Sequence, residues 1–383
     1  MRGGSPGRIL YVQYTNPAGY PPLQHSSRLL AKEGWKVRFL GTGALGTESL
    51  RFPEHPRIEV RQIPFQGAGW RQKLHYLRYV AWVLWHTRRW RPHWIYASDL
   101  MACPIALAAT RLLGTPVIYH EHDSPVEGDS TKFTRLLLGA RRALARTARL
   151  SILPNAERAR LFADRQGAQK VELVWNCPSL DEVEPRPRAP LGGELTVLYH
   201  GSIVPERLPE TVVEALAQLP DGVRLKVVGY ETNSSRGYSE RLMRKAQALG
   251  VGRRIAFPGT VERSAMMDLC RSCDVGLALL PKRADDFNLE MMVGASNKPF
   301  DYLACGLALV VSDLPAWRTV YVDGGYGRAC DATSAESIAE QIRWYWEHPV
   351  ELRAMGERGR QRILAEWNYE TAFARVADLL ARV

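Results

Sequence analysis

Ala295-Ser-Asn-Lys-Pro-Phe-Asp-Tyr-Leu-Ala-Cys-Gly-Leu-Ala-Leu-Val-Val-Ser-Asp313 is the stretch from which the fold is read. Gly294 to Asn297 are small residues suited to a loop. A short helix follows and stops at Gly306, where a left-handed residue can cap it. An apolar strand, Leu307 to Val311, comes next and runs into Ser312-Asp313-Leu314-Pro315. Loop, helix and strand in that order leave a helix N-terminus open. Its free N–H groups and the positive end of the helix dipole favour an anion. Ser296 and Asn297 stand at that end, and Lys298 adds a cation. Asp301, one turn in, is an acceptor able to hold a pair of ribose hydroxyls. The same two charges also suit a solvated i,i+3 ion pair on an ordinary helix, and the residues alone leave both readings open.

Working outward, short apolar strands alternate with helices, the pattern of α/β domains with parallel sheets. Strands are expected at 8–12, 35–40, 58–63, 94–97, 116–119, 150–153 and from 171. Helices are expected at 21–33, 70–90, 101–113 and 132–148, with another capped by Asn155. Residues 181–194 are rich in Pro, Gly and charge and read as a linker. Beyond it, a strand from Leu195 enters a turn at Gly201, and a helix is expected to open near Pro205. Further strands are expected at 224–228, ending at Gly229, at 254–257 and at 274–280, with a helix over 262–271. Phe287 to Gly294 reads as an irregular loop able to close over a ligand, and the last 50 residues as three helices. The domain boundaries are set at 1–180, 181–194 for the linker, 195–366 and 367–383.

A chain of 383 residues is too long for one small core and fits two domains. No run of 18 apolar residues exists, and Met1 to Gly7 is polar, so a cytoplasmic protein is expected. Six scattered cysteines read as core residues in a reducing compartment, and Cys270-x-x-Cys273 lacks a second pair for zinc. The net charge of +11 comes without any nucleic-acid-binding motif, so no nucleic-acid partner is expected. A basic face toward anionic lipid or phosphate-bearing substrates explains it as well. Residues 70–90 interleave Trp, Tyr and Leu with Arg and Lys. That pattern suits a helix on a membrane surface, or a helix packed on the sheet with its tryptophans in the core. The basic stretch 132–148 offers a similar choice between a solvated face and an anion-binding one.

His120-Glu-His-Asp123 closes a strand, at the edge where open α/β sheets bind ligands. His120 and His122 share a face and could ligate one ion, but no third ligand is evident, so no metal site is expected. Asp99 ends another strand, and Gly19 lies in the loop 13–20, which lacks the G-x-G-x-x-G of a dinucleotide site. Gly19, His120 and Asp99 are candidate cleft residues at this edge.

Asn297 to Asp313 resembles the nucleotide-sugar signature of glycosyltransferase family 4, whose members have the GT-B fold of two facing Rossmann-like domains. Asp301 takes the place of the family glutamate that contacts the donor ribose, and Val293 replaces another glutamate eight positions earlier. His122 falls on the family's active-site histidine, and the resemblance puts the acceptor on the side of Gly19, His120 and Asp99. Ser202 and Arg207 occupy the positions of the Arg and Lys that hold the donor diphosphate. Gly229 matches Val-x-Gly, and Pro258 to Val261 resembles the segment passing the nucleobase. Trp367 to Glu370 resembles the point where the last helix crosses back to the first domain. The resemblance implies a retaining, metal-independent glycosyltransferase without a cofactor, which moves sugar from a nucleoside-diphosphate donor to a hydroxyl acceptor. His122, Lys298 and Arg207 would be catalytic. A nucleotide-sugar epimerase and a non-catalytic partner subunit are the alternatives.

Overall fold

The computed structural model describes residues 7–44, 49–67, 69–125, 131–282 and 287–382, without the side chains of Asn233 and Phe287. The chain divides into two compact units, 1–176 with 369–383, and 177–368. The first unit runs β1 (Arg8–Val12), α1 (Pro21–Lys32), β2 (Lys36–Thr42), β3 (Ile58–Ile63), α2 (Trp70–Trp90), β4 (Trp94–Ser98), α3 (Cys103–Leu113) and β5 (Val117–His120). It continues with α4 (Lys132–Thr147), β6 (Leu150–Leu153), α5 (Ala156–Gln166) and β7 (Val171–Leu173). Its seven strands are parallel, in the order β3-β2-β1-β4-β5-β6-β7. Strand order reverses between β1 and β4, so the switch-point crevice lies beyond their carboxyl ends. The β4, β5 and β6 strands are buried along their whole length, as parallel strands covered on both faces must be.

The second unit runs β8 (Leu195–Ser202), α6 (Thr211–Ala217), β9 (Val223–Tyr230), α7 (Tyr238–Ala248), β10 (Ile255–Gly259), α8 (Arg263–Arg271) and β11 (Val275–Ala278). Then come α9 (Phe287–Glu290), α10 (Asn297–Ala304), β12 (Ala308–Ser312), α11 (Pro315–Trp317), β13 (Gly327–Cys330), α12 (Ala335–Glu347) and α13 (Pro349–Ala365). Six parallel strands are ordered β10-β9-β8-β11-β12-β13, with the switch between β8 and β11. The final helix, α14 (Tyr369–Leu380), belongs to the first unit, where Tyr369, Phe373, Val376 and Leu380 join the core against β1 and β2.

Three expectations need correction. No helix opens at Pro205; the chain turns there and α6 starts at Thr211. Pro209 explains this, because it pushes Leu208 out of helical backbone geometry. Residues 181–194 are no free linker but an ordered part of the second unit. Glu184 accepts from Arg360 and Arg188 from this stretch pairs with Asp274. Phe287 to Glu290 is a helical turn rather than irregular loop. The Gly-Arg-Ala-Cys strand β13 has no apolar run and is invisible to periodicity. On α2, Tyr76, Tyr79 and Val83 are buried and Trp82 and Trp90 pack against the core, while Trp70 and Trp85 are exposed.

Candidate functional site

In the first unit the carboxyl ends of β4 and β5 gather three expected residues. Asp99 follows β4 with φ +64°, a region that non-glycine residues avoid. Its N–H donates to the His120 carbonyl at 2.9 Å, and its Oδ1 accepts the His122 N–H at 2.8 Å. These bonds bind the strand ends together and hold the strained backbone in place. Burial, with the charge of Asp123 next, pushes the Asp99 carboxyl up to about 8. His120 Nδ1 is hydrogen-bonded to the Tyr96 hydroxyl at 2.6 Å, and its ring lies 3.8 Å from that of His122. Burial pushes both imidazoles down, His122 to about 3, so both are neutral near pH 7. The Nε2 atoms of both are buried and have no hydrogen-bond partner among the described residues. A neutral imidazole offers a donor or an acceptor there, the pairing a hydroxyl needs. Gly19 closes a short turn, 17–19, one residue before Tyr20, whose ring is 5.5 Å from His122. Gly19 thus neighbours the cluster through Tyr20.

Glu121 points away from the histidines. It accepts from Arg141 at 2.6 and 2.7 Å, from Tyr119 at 2.7 Å and from Ser124 at 2.7 Å. This saturated, buried carboxylate anchors the segment rather than serving a ligand. Among the described residues no three His, Cys, Asp or Glu side chains gather as a ligand set.

In the second unit the carboxyl ends of β8 and β9 meet α10. Gly201 and Gly229 are paired in register, with φ +115° and +146°. A Cβ on Gly229 would lie 1.8 Å from the Gly201 carbonyl oxygen, and one on Gly201 would lie 3.0 Å from Lys298 Cε. Only glycine permits this close approach. The Lys298 side chain therefore lies along bare backbone at the end of β8. It is buried, with its Nζ 5.5 Å from the Tyr199 ring centroid. Nζ has no hydrogen bond or ion pair among the described residues. Burial, then the charge of Arg207, push Lys298 down to about 7. Arg207 donates to Ser202 Oγ at 3.3 Å. The Arg207 charge thus acts on an amine that sits in the first turn of α10. Ser296 is the residue before this helix and Asn297 its first. Val261 lies two residues beyond β10, half-buried, and Thr260 donates to the Gly229 carbonyl at 3.3 Å.

Asp301 is not the open acceptor expected. It is fully buried, and Arg263 donates to its two oxygens at 2.7 and 2.8 Å. The same guanidinium holds Glu182 at 2.8 and 2.9 Å. His200 Nε2 lies 3.4 Å from Asp301 Oδ2, and its backbone N–H donates to the Tyr302 hydroxyl at 3.0 Å. Burial, then Lys298 and Arg263, push the His200 ring pKa down, which keeps it neutral. Sequence reasoning missed Arg263, Glu182, His200 and Tyr302. His200 could have been found, because it immediately precedes the Gly201 turn. Arg263 gives no local signal.

A family model described as a glycosyl transferase 4-like domain matches residues 23–177, and one described as glycosyl transferase-like matches 207–381. The chain belongs to the family-4 type of GT-B glycosyltransferases. Among curated relatives of this glycosyltransferase family is D-inositol 3-phosphate glycosyltransferase of Mycobacterium tuberculosis (strain ATCC 25618 / H37Rv). It is 26% identical over 287 residues, covering 72% of this chain and 55% of that protein. The chain thus spans about half the length of the curated relatives it matches. Anabaena Alr3699/HepE, solved in complex with UDP-glucose, has a TM-score of 0.73 at 17% identity, over 98% of this chain and all of the other. WaaG, a glycosyltransferase involved in lipopolysaccharide biosynthesis, has a TM-score of 0.66 at 16% identity, over 97% and 99% of the two chains. At such identities these likenesses establish the GT-B fold.

Proposed function

We propose that the protein transfers a sugar from a nucleoside-diphosphate sugar to a hydroxyl acceptor, retaining the anomeric configuration and needing no bound metal. One observation carries this reading: Lys298, a buried amine with no hydrogen bond or ion pair among the described residues, lies beside the Gly201 backbone in the first turn of α10, where the Arg207 charge acts on it. A buried cation left without a counter-charge is costly unless an anion completes the site. A diphosphate has the charge, and helix N–H groups add donors for it. On this scheme Lys298, Arg207 and the backbone N–H groups of residues 297–299 offset the charge that grows on the leaving diphosphate.

Asp301, fully buried and clamped by Arg263, contributes to the ribose site through that pair. In the first unit the neutral His122 and His120 rings hold sugar or acceptor hydroxyls through their free Nε2 atoms. The resemblance to family 4 favours attack from the face that the diphosphate leaves, with the donor phosphate taking the acceptor proton. The UDP complexes of the Anabaena relative make uridine diphosphate the first nucleotide to try.

A thermal-shift panel of UDP, GDP, ADP and TDP with their sugar conjugates, with and without chelator, tests the donor site. One nucleotide at about 100 times its dissociation constant should add about 2.7 kcal/mol of stability. The shift should disappear in Lys298→Met and persist with chelator. No shift with any nucleotide would refute the donor site. A second reading, a nucleotide-sugar-binding subunit without turnover, draws on Val293, Ser202 and the engaged Asp301. It predicts a nucleotide shift and no donor consumption with any acceptor.

A further inference from the structure

The α2 helix has an outer face that the sugar-transfer reading does not use. Trp70, Leu74, Leu77, Ala81, Trp85 and Arg88 recur at steps of four, three, four, four and three, which places them along one side of a helix. Trp70 is 71% exposed, Leu77 63% and Trp85 56%. Large apolar side chains contiguous on a surface mark an interaction site. The charged side chains of the helix itself have one sign. The helix carries Arg71, Lys73, Arg78, Arg88 and Arg89, and neither Asp nor Glu.

Both ends of the stripe continue the pattern. At the C-terminal end Trp85 lines a cleft of about 810 Å³ with Arg88, Arg89, Arg91 and Pro92. At the N-terminal end Trp70 and Lys73 line a smaller cleft of about 270 Å³ with Met101 and Phe133. One turn beyond Phe133, α4 exposes Leu136 beside the exposed Lys132 and Arg135. Apolar rings and aliphatic chains thus lie between cations over the roughly 31 Å length of α2. No described helix is long and apolar enough to cross a membrane, so this one could only lie along it.

We propose that α2 docks this protein on an anionic lipid bilayer. Trp70, Leu74, Leu77 and Trp85 enter the boundary between headgroups and acyl chains, and Arg88, Arg89, Arg71 and Lys73 meet lipid phosphates. Charge complementarity selects this occupant. A protein partner would have to be acidic along the whole stripe and apolar at its centre, whereas an anionic bilayer offers both layers everywhere. The inference is independent of the sugar-transfer reading, because it involves none of the residues placed in that site.

The test is co-sedimentation of the full chain with vesicles of phosphatidylcholine, or of phosphatidylcholine mixed with phosphatidylglycerol. Binding is expected only to the mixed vesicles, with a blue shift of tryptophan emission, and should weaken with salt. The double variant Leu77→Glu/Trp85→Glu should lose about tenfold or more in vesicle affinity, and Arg88→Gln/Arg89→Gln about tenfold. Leu364→Glu, at an exposed leucine of the second unit, should bind like the unaltered chain. Far-UV circular dichroism checks that each variant folds. Absence of binding to the mixed vesicles, or equal binding by the folded variants, would overturn the proposal. So would self-association that Leu77→Glu abolishes, since that would assign the stripe to a second copy of the chain.

Discussion

Arg263 clamps Asp301 with two hydrogen bonds while its remaining N–H donors take Glu182, so one buried guanidinium serves two carboxylates. Removing it takes the shared guanidinium from the fully buried Asp301 and the half-buried Glu182. Arg263→Met should cost about 3–5 kcal/mol of stability by urea unfolding. Adding Asp301→Asn to that variant should recover part of the loss, because a neutral amide is cheaper to bury than a carboxylate that has lost its guanidinium. Equal stability of Arg263→Met and the unaltered chain would show that water, not Arg263, serves Asp301.

The paired glycines give a sharper steric prediction. Gly229→Ala places a methyl 1.8 Å from the Gly201 carbonyl oxygen at a φ of +146°, so the ends of β8 and β9 must separate. The expected loss is about 3 kcal/mol or more, with nucleotide binding abolished. Gly237→Ala is the control. Its φ is also positive, but nothing lies within 4 Å of the added methyl, and it should cost only about 1 kcal/mol.

Lys298 makes stability and nucleotide binding respond to pH. Its amine is lowered in the fold from 10.5 to about 7, so between these values the unfolded chain holds more protons. This group therefore makes stability rise with pH from about 7 to 10.5. A bound diphosphate favours the ammonium, and binding at pH 8 should take up close to one proton. Calorimetry in two buffers of different ionisation enthalpy measures this uptake. Lys298→Arg, which keeps a positive charge that does not titrate in this range, should still bind and reduce the uptake to near zero.

Asp99 works in the opposite direction. Its carboxyl is raised from 3.8 to about 8, so over that window the folded chain holds the extra proton. Its contribution is fully present below about pH 4 and is lost as pH rises through about 8. Asp99→Asn keeps an oxygen for the His122 N–H and removes the titration. Between pH 5 and 8 its melting temperature should fall less than that of the unaltered chain. Parallel curves would show that Asp99 is ionised throughout.

Much of the fold was legible in local pattern, because local forces made it. Gly306 caps α10 at φ +71°, as expected from its position between a helix and an apolar run. α2 was expected at 70–90 and observed as Trp70–Trp90, since apolar side chains recur there at helical spacing. The site was legible only in part. Lys298 and Asp301 were read as neighbours on one helix, but what each does depends on residues far away in sequence. Arg263 is 38 positions from Asp301, and no spacing rule connects them. The burial of Lys298 follows from two glycines on neighbouring strands, a coincidence that appears only once the sheet has formed. Strand β13 was missed because an edge strand of Gly, Arg, Ala and Cys carries no periodic signal.

The placement of α14 has a consequence for biosynthesis. The core of the first unit includes Tyr369, Phe373, Val376 and Leu380, all fully buried, yet these residues follow the whole of the second unit in the chain. A ribosome therefore delivers every strand of the first sheet long before the helix that covers part of it. During that interval the nascent sheet has an uncovered apolar face, while every residue of the second unit, 177–368, is already made. A chain released before Tyr369 would carry a finished second unit and a first unit open to chaperones and proteases.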